Sequence, residues 1–274
     1  MRSAMNKQNI FTLGLSWIAL LLWLPSVASG DAEGEALAHK VYNRPDGKDM
    51  SSSSFMILQG KRSQPRKRTL HTYRLDKDDG ETLSLIRFTQ PVDIDGTGLL
   101  TRNPPGEESN QWVYLPELDR ARRISSSRQG GRFVGSDLYY EDLRKRDVDK
   151  DRHRIIGKDK VGGAQTTLLE SIPVDPDNST YSKRISWIHT GTLIPLRVDY
   201  YKDGRDTPVK RMKASKIKKI QGYWTVLEST VQDLHSGHQT RLVTKVVKYD
   251  QDLPDKLFSR QALSDPQMEK AYRP

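Results

Sequence analysis

The chain has 274 residues, no cysteine and a formal net charge of +10, from 45 Lys and Arg against 35 Asp and Glu. Lack of cysteine excludes a disulfide scaffold, a thiol nucleophile and acylation at a lipoprotein-type N-terminus. Hydrophobic residues are only 35% of the total, so the core must be economical, which suits a single sheet.

Residues 1–30 read as a cleavable secretory signal. Arg2 and Lys7 supply a positive start, and residues 10–24 are apolar apart from Thr12, Gly14 and Ser16. Pro25 and the small residues Val27, Ala28, Ser29 and Gly30 then lead to Asp31. The apolar run is short for an uncleaved anchor. The expected product is a single domain over 31–274, exported to the periplasm of a bacterium. Without Arg2 and Lys7 it remains basic, which favours an acidic partner such as an anionic membrane surface or an acidic protein face. Export argues against nucleic acid.

Residues 31–50 hold one helical pattern. Ala36, Leu37, Lys40 and Val41 recur at helical spacing, Asp31, Glu33 and Glu35 open it, and Asn43-Arg44-Pro45 stops it. Residues 51–54 read as a polar joint. Period-two runs follow at 55–60, 68–76, 81–89, 97–101, 111–115 and 121–125, then at 152–158, 165–172, 183–190, 195–201, 208–217, 223–231 and 238–249. Turn cues at 77–80, 173–178, 202–204 and 235–237 separate them. In 195–201, Leu196, Val198 and Tyr200 oppose Arg197, Asp199 and Tyr201; in 183–190, Ile185, Trp187 and His189 oppose Arg184, Ser186 and Ile188. One apolar and one polar face predict an antiparallel sheet wetted on one side. A meander this long must curl, leaving a concave face for helical segments at 31–44 and 136–147 to cover. The fold class is mainly β (α+β).

Enzyme signatures are missing: the sequence has no HExxH, no GxSxG and no phosphate-cradling loop. His235 and His238 lie three apart on a turn, and two exposed turn residues explain them better than a metal pair. Nothing orients Ser136-Asp137 as a hydrolytic pair. No catalysis, cofactor or metal is expected. Lys216, Lys218 and Lys219, with Lys210, Arg211 and Lys213 nearby, form either a solvated strand face or a docking surface for anionic phospholipid or an acidic partner. Residues 61–68 offer a second basic patch.

The densest segment is 111–143. Trp112, Tyr114, Phe133, Tyr139 and Tyr140 surround Arg120, Arg122, Arg123, Arg128 and Arg132, beside Asp137, Glu141 and Asp142. This is either a buried polar network or a binding mouth. Arg122 and Arg123 suit bidentate pairing with Asp137, Glu141 or Asp142, which would latch 133–143 to the sheet.

FTQPVDIDGTGLL at 88–100, QWVYLPELDRARRI at 111–124 and RFVGSDLYYEDL at 132–143 resemble the outer-membrane lipoprotein-sorting protein family. That family has a LolA-like fold and is often encoded beside RND-type exporters. HKVYNRPDGKD at 39–49, WIHTGTLIPLRVDYYKDG at 187–204 and DLPDKLFSRQAL at 252–263 extend the resemblance over most of 35–263. Val134 departs from it, since the family more often has Met there. The resemblance implies an incomplete β-barrel, covered on its concave face by a few helices, with a hydrophobic cavity for acyl chains. Trp112, Tyr114, Phe133, Val134, Leu138, Tyr139 and Trp187 are the candidate lining residues. The implied function is a carrier that binds a lipid or lipoprotein acyl chain and moves it towards an outer-membrane acceptor or an RND-type exporter. The competing expectation is an accessory protein without lipid that docks onto such a transporter through Lys216, Lys218 and Lys219.

Overall fold

The structure, a computed structural model, describes residues 31–274; the expected signal segment lies outside the described residues. Helix α1 (Ala32–Tyr42) leads into a first meander of β1 (Asp49–Gln59), β2 (Arg66–Asp76), β3 (Thr82–Gln90), β4 (Gly98–Asn103), β5 (Asn110–Leu115) and β6 (Arg120–Arg123). A second meander contains β7 (Asp151–Val161), β8 (Ala164–Pro173), β9 (Lys183–His189), β10 (Pro195–Tyr201), β11 (Lys210–Ile220), β12 (Tyr223–Asp233) and β13 (Gln239–Tyr249), followed by the short helix α2 (Arg260–Ser264). Antiparallel pairing of β1 with β13 joins the meanders into one 13-stranded sheet. Strands β6 and β7 form its two edges, so the sheet does not close into a barrel.

Residues directly opposite across paired strands share a face. The registers therefore put Met56, Leu70, Phe88, Leu99 and Val113 on the same face as Leu242, Val231, Met212, Val198 and Ser186. On this front face Phe133 and Leu138 pack against Met56, Leu58, Leu70, Phe88 and Leu99. Further along it, Ala38 of α1 packs with Val148, Leu169 and Ile188. On the back face, Leu253, Leu257, Phe258 and Leu263 cover Tyr73, Leu75, Leu83, Leu85 and Leu100. The expected wetted side is thus absent over β2–β5, where the C-terminal segment buries the second face.

Two other expectations change. Residues 51–54 are not a joint but the first half of β1, with Ser51, Ser52 and Ser54 buried. Their small hydroxyls fit there because partners exist: Ser51 bonds Gln251, and Ser54 bonds Thr244 at 3.1 Å. Residues 136–147 are not an α-helix; only the 3₁₀ turn Glu141–Leu143 is helical. Side chains compete for the backbone instead, with Ser136 Oγ accepting from the Leu138 N–H and Asp142 from the Tyr139 N–H.

Helix α1 sits against the edge strand β7. Asp31 caps the helix by accepting from the Gly34 N–H, and its second oxygen accepts from the Ile155 N–H at 3.2 Å. Glu35 accepts from the His153 N–H at 2.8 Å. A Cβ on Gly34 would meet Arg154 Cα and the His153 carbonyl oxygen, both at 2.7 Å and both backbone. Helix propensity alone says that Gly34→Ala stabilises by about 1 kcal/mol. The close approach reverses the sign: thermal unfolding is expected to show a loss of about 1–3 kcal/mol. An unchanged or raised melting temperature would refute this account of the helix seat.

Candidate ligand cavity and its latch

Between α1, segment 141–148 and strands β7–β10, the front face carries an open cavity of about 270 Å³. Val41, Val148, Leu169, Ile188 and Val198 make an apolar wall. Val198 and Ile188 arrive there by strand alternation; Val148 comes from the segment joining the two meanders. The lining also carries the charged side chains of Arg144, Arg146, Arg184, Glu141, Asp142 and Asp151.

Segment 133–143 is held down by its carboxylates. Asp137 is buried and accepts from Thr240 Oγ1 at 2.8 Å, pairs with His238 Nδ1 at 2.6 Å and reaches Arg132 at 3.2 Å. Glu141, also buried, takes the Ser179 hydroxyl and the Thr180 N–H, each at 2.5 Å. Asp142 accepts from the Tyr181 hydroxyl at 2.8 Å and pairs with Lys210, a buried cation on β11. The Lys210 ammonium lies 3.8 Å from the Tyr139 ring centroid and 4.8 Å from those of Tyr181 and Tyr200. Burial lowers the Lys210 pKa, with Asp142 pulling the other way. Burial, then Asp142, pushes the Tyr181 phenol well above its ordinary value, so it remains a donor.

Asp137, Glu141 and Asp142 thus have partners other than the expected Arg122 and Arg123. Arg122 and Arg123 are exposed on β6, and Arg123 bonds Asn110 instead. Strand β6 ends at the sheet edge, while Asp137 and Asp142 lie over β13 and β11. Asp137 pairs with the neighbouring Arg132 and with His238, and Asp142 with Lys210.

The seven expected lining residues do not form one site. Phe133, Val134 and Leu138 belong to the front-face core, with the Phe133 ring 5.6 Å from Phe88. Tyr139 belongs to the Lys210 cluster. Trp112 and Tyr114 lie on the back face, where Tyr114 donates to Asp119 at 2.9 Å. Trp187 pairs across strands with Arg197, whose guanidinium sits 4.0 Å from its ring centroid, and donates to Asp159 at 2.9 Å. Lys216, Lys218 and Lys219 are exposed on β11. Among the described residues no cluster of three His, Asp or Glu could hold a metal.

The profile of a family described as uncharacterized protein-like matches residues 80–265. No curated protein matches. A solved domain from Vibrio parahaemolyticus, named for outer membrane lipoprotein sorting, is 28% identical with a TM-score of 0.80, covering 85% of this chain and 98% of that one. A DUF1329 family protein from Desulfovibrio piger ATCC 29098 is 31% identical with a TM-score of 0.81, over 86% of this chain and 99% of its own. A LolA superfamily protein from Nitrosomonas europaea has the same fold at 18% identity and a TM-score of 0.66, covering 84% of this chain and 98% of its own.

Proposed function

This chain belongs to the DUF1329 family, and from that membership and its cavity we propose that it is a periplasmic carrier for the acyl chain of a lipid or lipoprotein. The supporting observation is the apolar wall of Val41, Val148, Leu169, Ile188 and Val198, lining an open cavity on the front face of a sheet like that of the lipoprotein-sorting domain. In this reading the front face is the concave one, and α1 with segment 133–148 is its cover. Burying each methylene contributes about 0.8 kcal/mol, so one chain supplies useful and still reversible affinity.

The cavity volume, about 270 Å³, lies just under the roughly 300–1,000 Å³ of drug-sized ligand pockets. One chain fits; a multiply acylated lipoprotein requires the cover to lift. Residues 1–30 would direct export, and Lys216, Lys218 and Lys219 would touch an anionic membrane or an RND-type transporter at handover. Delipidated protein titrated with a fluorescent fatty acid is expected to saturate at one chain per molecule. Native mass spectrometry of protein taken from its periplasm is expected to show a lipid adduct. Absence of both overturns the carrier reading.

A further inference from the structure

Most charged groups lining the cavity already have a hydrogen-bonded partner. Arg146 binds Asp151 and the Asn178 side chain, and Arg184 also pairs with Asp151. Asp147 accepts from the Tyr42 hydroxyl at 3.0 Å and the Gly106 N–H at 2.9 Å. His153 uses both ring nitrogens, on Ser171 at 2.9 Å and the Val148 carbonyl at 3.0 Å. Glu141 and Asp142 are engaged in the latch.

Arg144 is different. Its side chain is only 3% exposed, yet Nε and Nη2 have no hydrogen-bond partner. Its two nearby carboxylates, Glu108 at 3.7 Å and Glu141 at 3.9 Å, are beyond hydrogen-bond distance. Burial lowers its pKa, opposed by Glu141, so the charge is poorly compensated. Buried donors left unpaired are costly and uncommon, and a planar guanidinium fork matches a carboxylate or phosphate.

We infer that Arg144 receives the oxyanion of a single-chain amphiphile, a carboxylate or phosphate headgroup whose acyl chain lies along Val41, Val148, Leu169, Ile188 and Val198. This rests on the carrier reading and names the ligand class within it. Arg144 is the one cavity-lining residue among those described whose buried donors lack a partner, and it lines the same cavity as the apolar wall. A neutral chain of equal length would leave those donors unpaired.

Calorimetric titration of the delipidated protein with dodecanoate, dodecanoyl lysophosphatidylglycerol and dodecanol tests this. At least one acidic amphiphile is expected to bind roughly tenfold or more tightly than the alcohol. A preference for dodecanoate identifies a carboxylate ligand, and a preference for the lysophospholipid a phosphate headgroup. In Arg144→Met the acid and alcohol affinities should converge, while Arg144→Lys should keep part of the difference. Equal binding of acids and alcohol by the unmodified protein overturns the inference and leaves the carrier reading standing. Binding of none overturns both. Because the unmodified protein already supplies the ratio, poor folding of either variant does not remove the test.

Discussion

Glu269→Ala is expected to lower stability by about 3–5 kcal/mol, measured by urea unfolding. Glu269 and Arg87 are both fully buried, under the C-terminal segment on the back face. Arg87 Nε lies 3.2 and 3.1 Å from the two carboxylate oxygens, and Nη2 donates to the Ala262 and Leu263 carbonyls at 2.9 and 2.8 Å. One guanidinium thus ties β3 to the end of the chain and anchors the cover of the back face. Burial raises the Glu269 pKa, with Arg87 as the chief opposing influence. Removing the carboxylate alone leaves a sealed cation without compensation, whereas Arg87→Met combined with Glu269→Leu removes both desolvation penalties. The double variant should therefore be more stable than Glu269→Ala. A single-variant loss below about 1 kcal/mol would show that water reaches the pair.

Lys210→Ala should produce a loss of similar size, about 3–5 kcal/mol, because Asp142 would keep its buried charge without its cation. This effect should also be local. Amide hydrogen exchange across 139–146 should accelerate, while β2–β4, sealed on both faces, keep their protection. Replacing Lys210 by Met together with Asp142 by Leu should recover most of the loss. Uniformly faster exchange over the whole sheet would mean that Lys210 supports the fold at large and not the segment over the cavity.

Alternation made most of the sheet legible, since period two survives wherever one face is apolar. It failed at Ser51 and Ser54, whose buried hydroxyls find partners near the far end of the chain. It also understated β3, where Leu83 and Leu85 on one face and Ile86 and Phe88 on the other already spell a strand buried on both sides. Segment 136–147 has adequate helix formers, but its carboxylates gain more from Thr180, Tyr181 and Lys210 than from a helix surface. Those partners lie 39 to 68 positions away. Local pattern could mark the acids as a cluster, but not what they pair with. The cavity was least legible, because Val41, Val148 and Val198 belong to three separate elements and no motif binds them together.

An open sheet of this width is a template for self-association, because each edge offers unpaired backbone groups to another molecule. The two edges are guarded by unlike means. Exposed Arg120, Arg122 and Arg123 put like charges along β6, which repel a second copy approaching by the same edge. On β7, Asp31 and Glu35 occupy the outward N–H groups of Ile155 and His153. Pairing along the His153–Ile155 stretch of β7 would thus require departure of α1, which also lines the cavity. Under the proposed carrier role, a ligand that holds α1 in place would also oppose this pairing, so empty protein should aggregate sooner than loaded protein.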